Sequence, residues 1–168
     1  MFKKILLVAA LLIPMLASAQ SLKIGLVDQN EIISKMPETT EAGKKVDEIS
    51  KKYESEYMKL NDEMKRLYDE ISNMKEDELP AIRERKTRDF TDHQVKVQQF
   101  QETAMQEIQR MQQELMAPIV QKVRSAIESV GKEGGFSLVQ DKNPQITIYF
   151  DAPVIDITND VKAKLGIK

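Results

Sequence analysis

The sequence predicts an α+β fold in which a long antiparallel coiled-coil helical hairpin projects from a small β-sheet body. Between Lys44 and Val130 the chain has no glycine and is rich in Glu, Lys, Gln, Met, Leu and Ala, most of which are strong helix formers. On both sides of this stretch lie short segments with the β-branched and aromatic residues that are typical of strands. Strands at both ends of a helical region can share one sheet only if that region folds back on itself.

The predicted strands are "LKIGLVD" at 22–28, "FSLVQD" at 136–141 and "QITIYFDA" at 145–152. "KNP" between the last two is a turn signal, so we expect these two strands to form a hairpin. Isolated strands of this length are only marginally stable. We therefore expect the strands from both ends of the chain to form one sheet.

The tail "DITNDVKAKLG" predicts a short helix near the end of the chain. Asp156 or Thr158 can cap its start, and Gly166 is expected to end it. The apolar face of this helix consists of Ile157, Val161 and Leu165.

The first residues have the order of a secretory signal peptide. Lys3 and Lys4 form a basic start, residues 5–16 an apolar run, and residues 17–19 a small-residue cleavage site. We expect cleavage after Ala19 and export of the mature protein to the periplasm. The alternative is an uncleaved membrane anchor, although the apolar run is shorter than the about 20 residues that span a bilayer.

Charge and composition argue against several functions. The chain has 27 acidic and 25 basic residues, and two of the basic ones lie in the predicted leader. The resulting acidic balance argues against nucleic acid as a partner, because phosphate binding needs a basic surface. The sequence has no cysteine, no glycine-rich phosphate loop and no metal-ligand or nucleophile motif. We therefore predict no enzyme and no catalytic, metal or cofactor site, and a structural or solvent-facing role for His93.

Apolar residues repeat with heptad spacing along two segments of the helical region. The outgoing seam consists of Ala42, Val46, Ile49, Tyr53, Tyr57, Leu60, Met64, Leu67, Ile71 and Met74. The return seam consists of Phe90, His93, Val97, Phe100, Ala104, Ile108, Met111, Leu115 and Ile119. Steps of three and four residues put each set on one narrow stripe of its helix. We expect the two seams to pack together, with helices at roughly 39–75 and 79–131.

Two prolines lie inside the helical region. Pro80 follows the acidic residues Glu76, Asp77 and Glu78. Acidic residues favour a helix N-terminus, and proline is tolerated in a first helical turn. The segment therefore predicts that one helix stops and a second one starts at the tip of the hairpin. Pro118 predicts a kink near the point where the arm enters the body.

Exposed residues of the arm are candidates for contact with other proteins, because methionine in particular suits surfaces that accept many partners. The predicted contact residues lie off the seam: Met58, Tyr68, Met105 and Met116. A basic cluster lies just past the tip: Arg83, Arg85, Lys86 and Arg88. Its acidic neighbours Glu84 and Asp89 favour a solvated surface, and contact with acidic lipid or with a bound protein is the alternative.

The order of these features resembles the Skp (OmpH-like) periplasmic chaperones. The resemblance rests on the leader, the segment "KIGLVDQNEIISKMPE", the coiled-coil arm and the ending "GGFSLVQDKNPQITIYFDAPVIDITNDVKAKL", and it covers residues 20–168. It implies a homotrimer whose helical tentacles hold unfolded outer-membrane β-barrel proteins in a central cavity without ATP and prevent their aggregation. It also implies a signal peptide at 1–19, a β-rich trimerisation body formed by 20–38 and 132–168, and an arm at 39–131.

One feature departs from the family. Its best-known members are strongly basic, whereas this chain is acidic, which argues against binding of lipopolysaccharide or anionic lipid. The alternative function is an exported structural adaptor whose hairpin tip, residues 76–88, docks a specific envelope protein. The two functions differ in the location of the binding energy, which lies at the tip in an adaptor and along the inner faces of the arms in a holdase.

Overall fold

The computed structural model describes residues 22–143, 149 and 153–167. The predicted signal peptide lies outside the described residues. So does most of the predicted strand 145–152, and with it the predicted strand hairpin.

The fold is α+β, as predicted, with long helices and a small three-stranded sheet. In chain order the elements are β1 (Ile24–Val27), α1 (Gln29–Lys35), α2 (Pro37–Ser72), α3 (Pro80–Glu133), β2 (Leu138–Asp141), β3 (Val154–Asp156) and α4 (Thr158–Leu165). The chain divides into two compact units. Residues 33–122 form the hairpin unit, and the described residues before 33 and from 123 onward form the sheet unit. The division into a trimerisation body and an arm at 38/39 and 131/132 stays a prediction.

The sheet has the order β2-β1-β3, and both outer strands run parallel to β1. Ile24 pairs with Leu138 of β2 on one side and with Val154 of β3 on the other. The expectation that strands from both ends of the chain share one sheet is confirmed. Parallel strands need a long crossover connection, and the helical part of the chain supplies it between β1 and β2.

The core of the sheet unit consists of a few fully enclosed apolar side chains. Val27, Ile32, Val123, Ile157 and Val161 are each no more than 1% exposed. They come from β1, α1, α3 and the start of α4. Burial of such side chains is the main stabilising contribution in a unit of this size.

The short C-terminal helix α4 forms as the tail predicts. Ile157 and Val161 of its apolar face are fully buried, and Leu165 is half-buried. Gly166 follows the helix with a φ of 72°, a conformation that glycine adopts without strain. The prediction that Asp156 or Thr158 caps the helix is wrong, because the N-cap residue is Ile157 and makes no side-chain capping hydrogen bond. Asp156 accepts hydrogen bonds from the backbone N–H and the hydroxyl of Thr158, the first residue of the helix.

The hairpin unit has its two long helices where the pattern predicts them. α2 begins at Pro37, two residues before the predicted start, and ends at Ser72. Pro80 is the first residue of α3, so the predicted stop and restart at the tip is confirmed. α3 continues through Pro118 up to Glu133, and the predicted kink at that residue stays a prediction.

Candidate functional site: two faces of the helical hairpin

The seam of the hairpin is the one that the heptad pattern predicts. Every residue of the outgoing and return seams is buried or half-buried, whereas most other residues of the two helices are exposed. The methionines within the seam, Met64, Met74 and Met111, are half-buried. The agreement follows from geometry, because only one side of each helix has a helical partner in this unit.

Contacts across the seam show that α2 and α3 are antiparallel. The ring centroids of Tyr53 and Phe100 lie 5.9 Å apart. Closer to the tip, His93 Nε2 lies 2.8 Å from the carbonyl oxygen of Leu60. Higher residue numbers in α2 therefore lie beside lower residue numbers in α3. The contact of His93 with Leu60 is structural. A structural role was one of the two roles predicted for His93, the other being a solvent-facing one.

The predicted contact residues differ in exposure. Met58 is 55% exposed, Tyr68 56% and Met105 66%, whereas Met116 is half-buried. Tyr68 is not purely a surface residue, because its ring lies 6.1 Å from that of Phe90 in the seam. Met58, Tyr68 and Met105 are thus each more than half exposed, although Tyr68 also packs on the seam.

Each helix also carries one stripe of residues directly before the seam and one directly after it. The stripes before the seam consist of Glu41, Lys45, Glu48, Lys52, Glu56, Lys59, Glu63, Arg66 and Glu70 in α2, and of Asp89, Asp92, Lys96, Gln99, Thr103, Glu107, Arg110, Glu114 and Pro118 in α3. The stripes after the seam consist of Gly43, Asp47, Ser50, Glu54, Met58, Asn61, Lys65, Tyr68 and Ser72 in α2, and of Thr91, Gln94, Gln98, Gln101, Met105, Gln109, Gln112, Met116 and Val120 in α3.

In an antiparallel pair of helices, equivalent flanks of the seam lie on the same side. The two stripes before the seam therefore form one side, here called the charged face. The two stripes after the seam form the other side, here called the low-charge face. The four predicted contact residues all lie on the low-charge face.

Contacts between the helices support this assignment of sides. A groove of about 230 Å³ is lined by Glu41 of α2 and Pro118 of α3, both on the charged face. A hydrogen bond from Arg66 lowers the pKa of Glu63 in α2, and the charge of Lys96 in α3 acts in the same direction. Residues that precede the seam in the two helices are therefore neighbours.

Some of the charged side chains on the charged face pair with each other. Arg66 forms ion pairs with Glu63 and Glu70. Arg110 forms equivalent ion pairs with Glu107 and Glu114. The hydrogen bonds that Arg66 donates to Glu63 and that Arg110 donates to Glu107 raise the pKa of both arginines. Exposed pairs of this kind add little stability, but they occupy part of the charged groups of this face.

The low-charge face contains functional candidates that the sequence analysis missed, the glutamines of α3. Gln94, Gln98, Gln101, Gln109 and Gln112 are exposed. The stripe of α3 that contains them has no charged residue along its whole length. The signal is present in the sequence, because the residues that directly follow the seam positions of α3 include these five glutamines and no charged residue.

The basic cluster near the tip is divided among different contacts. Arg83 donates a hydrogen bond to the carbonyl oxygen of Lys75 at 3.0 Å. Lys86 forms an ion pair with Glu70. The other two members, Arg85 and Arg88, are exposed, and Arg88 forms an ion pair with Glu84 at 2.8 Å. The cluster therefore does not present four free charges to a partner.

The tip also has an open groove of about 740 Å³. It is lined by Glu76, Glu78, Pro80, Arg83, Glu84, Thr87, Arg88, Thr91 and Asp92. Four of these side chains are acidic and two are basic, so the groove contains both charges and is acidic on balance.

Two kinds of feature are absent from the described residues. Among residues 22–143, 149 and 153–167, no group of three or more His, Cys, Asp or Glu side chains is placed to hold a metal ion. Within the same part of the chain, no helix is both long and apolar enough to cross a membrane.

These features define a protein with a coiled-coil helical hairpin and a small parallel sheet. The chain belongs to the family described as "Outer membrane protein (OmpH-like)", whose model matches residues 23–165. A search of curated proteins found no match. Membership confirms the resemblance to Skp-like proteins and supports a function of the periplasmic chaperone kind that concerns outer membrane proteins.

Proposed function

We propose that the protein is an ATP-independent holdase of the periplasm. It binds unfolded outer-membrane β-barrel proteins in a cavity between the arms of a homotrimer and prevents their aggregation. The observation that carries the proposal is the exposed apolar surface of Met58, Tyr68 and Met105 on one face of the hairpin. Several exposed apolar side chains along one face can hold an unfolded chain, because many weak contacts add up through effective concentration.

The proposed trimer is supported by the edges of the sheet unit. β2 and β3 are the outer strands of the described sheet, on either side of β1. Leu138 in β2 and Ile155 in β3 are 50% and 46% exposed. Exposed apolar side chains on the outer strands of a sheet favour association with other chains, and a small unit gains stability by burying them.

The proposal includes export, with removal of the leader after Ala19. It assigns no catalytic role to any residue, because holding an unfolded chain requires contact and no bond cleavage. It does not include binding to lipopolysaccharide or anionic lipid, since the chain is acidic and the basic residues near the tip are largely engaged.

The direct test is an aggregation assay with the mature protein. An outer-membrane β-barrel protein unfolded in urea is diluted into buffer with and without an equimolar amount of the trimer, and light scattering is recorded. We expect scattering to be suppressed without ATP, and sedimentation of the same sample to show a trimer with bound client. Undiminished scattering would overturn the proposal.

The second candidate is an adaptor whose tip docks a specific envelope protein. The groove of about 740 Å³ at the tip favours it, since a cleft with both charges can recognise a partner specifically. A double variant, Arg83→Ala with Arg88→Ala, distinguishes the holdase function from the adaptor function. These changes remove the basic lining of the groove and should leave client holding intact in a holdase, whereas they should abolish partner binding in an adaptor.

A further inference from the structure

The low-charge face carries polar groups that the described structure leaves unused. The side-chain amides of Gln94, Gln98, Gln101, Gln109 and Gln112 form no hydrogen bond to any described residue, although all five side chains lie on one exposed stripe of α3. On the charged face, by contrast, arginines are held by glutamates three and four residues away. The two faces therefore offer a partner different chemistry.

A glutamine amide matches the backbone of a polypeptide. It has an acceptor oxygen and two N–H donors, which are the groups that pair with a backbone N–H and a backbone C=O. Unlike a charged side chain, it pays a small desolvation cost and does not discriminate between acidic and basic segments. A row of amides can therefore bind many sequences through the backbone that they share.

The neighbouring side chains suit an extended segment. A groove of about 490 Å³ on this side of α3 is lined by Glu102, Met105, Gln106, Ile108, Gln109 and Gln112. From Gln98 to Gln112 the stripe covers about 21 Å of helix, which equals about six residues of extended chain. In such a segment successive side chains point to opposite sides, so apolar residues on one side can contact Met105 while the backbone reaches the amides.

We propose that the low-charge face binds the main chain of extended, uncharged segments of unfolded polypeptide. The glutamine amides of α3 pair with backbone N–H and C=O groups, and Met58, Tyr68, Met105 and Met116 contact the apolar side chains. The charge pattern favours a neutral segment as the ligand. The stripe of α3 without charges is complementary to such a segment, whereas the charged face is not. The inference rests on the proposed holdase function and names the face and the chemistry that it uses.

The first test uses two variants with the same change in charge. Gln98→Glu with Gln109→Glu and Gln112→Glu changes the low-charge face. Gln99→Glu with Gln113→Glu and Gln121→Glu changes other positions of the same helix and is the matched control. We expect the first variant to hold the client about tenfold more weakly and the control to equal the unmodified protein. Circular dichroism checks that both remain helical, which glutamate favours as well as glutamine does.

The second test probes the backbone directly. The unmodified protein is titrated with a neutral peptide of alternating apolar and polar residues, and with the same peptide N-methylated at alternate backbone nitrogens. We expect the methylated peptide to bind about tenfold more weakly because it has lost backbone donors. We also expect the affinity for the unmethylated peptide to be unchanged between low and high salt, since no charges are involved.

The outcomes separate the inference from the proposed function. If the unmodified protein does not suppress client aggregation, both are wrong. If it does, but the two glutamate variants behave alike or methylation has no effect, the holdase stands and main-chain binding by this face is wrong. Binding of the unmethylated peptide that weakens strongly with salt would also overturn the inference, because it would indicate recognition through charges.

Discussion

The sheet unit and the hairpin unit bury their apolar side chains in different ways. In the sheet unit, Val27, Ile157 and Val161 are no more than 1% exposed. In the hairpin unit most seam residues, such as Ile49 and Leu60, are half-buried. Because the stabilising free energy scales with the apolar area removed from water, it is concentrated at a few positions in the sheet unit and spread over many in the hairpin. A hairpin built this way can tolerate change at single positions and leaves two long faces for partners.

The largest difference in stability between the two units is expected when one isoleucine in each is replaced by alanine. Ile157→Ala removes a fully buried side chain and should lower the free energy of unfolding by about 3 kcal/mol. Ile49→Ala in the half-buried seam should cost about 1 kcal/mol, because less area is lost and alanine is the better helix former. Urea unfolding followed by circular dichroism measures both, and hydrogen exchange assigns each loss to its unit. Equal losses would contradict the comparison.

A smaller effect is expected from acid. Burial raises the pKa of Asp156, but hydrogen bonds from Lys142 and Thr158 outweigh it and lower the pKa to about 2. Since the pKa is lower in the folded protein than in the unfolded chain, Asp156 stabilises the fold above about pH 4, and this contribution is lost as the pH falls toward 2. Its side chain is 51% exposed, and solvent screening reduces the contribution to about 1 kcal/mol.

Asp156→Asn should therefore destabilise the protein at pH 7 and match the unmodified protein near pH 2, as measured by urea unfolding across this range. The control in the hairpin is Glu70→Gln, whose carboxylate has its pKa lowered by Lys86. Both residues of that pair are half-buried. The pKa of Glu70 is lowered mainly by its hydrogen bond from Lys86, whereas Asp156 accepts hydrogen bonds from Lys142 and from two groups of Thr158, so we expect a weaker dependence on pH for Glu70. A hairpin variant with the stronger dependence would show that the electrostatic contrast between the units is wrong.

Replacing two glycines by alanine should change the stability in opposite directions. At Gly166 the φ of 72° strains any other residue, and Gly166→Ala should cost about 1 kcal/mol. At Gly43, within α2, nothing lies within 4 Å of the position that a Cβ would occupy. Gly43→Ala should raise the stability by about 0.5–1 kcal/mol through better helix propensity. Thermal unfolding of the two variants gives both signs, and a stabilised Gly166→Ala variant would contradict the role of this glycine.

The smallest effect is expected at the tip. Pro80 occupies the first position of α3, where the missing N–H has no partner in the helix. Pro80→Ala should change the free energy of unfolding by less than about 0.5 kcal/mol and leave client holding unchanged in the scattering assay. Loss of holding would favour the adaptor function and would place the functional part of the hairpin at its tip.

Sequence reasoning succeeded where the information is local. The two seams follow from a periodicity of three and four residues, and every seam residue is buried or half-buried. The stop and restart at Pro80 and the end of α4 at Gly166 follow from backbone chemistry at single residues. The contact residues were chosen by residue type and by their position off the seam, so the prediction did not foresee that Tyr68 packs on Phe90 or that Met116 is half-buried.

The amino-acid sequence by itself determined the helices, their seam and their ends, because these depend on interactions between residues a few positions apart. Only the tertiary structure decided that β1 lies between two parallel partners. It also decided that Lys162, 8% exposed, pairs with Glu31, and that the uncharged stripe of α3 shares a face with Met58 and Tyr68. These arrangements join residues far apart in the chain, where no local pattern specifies the partner and the free energy of packing selects it.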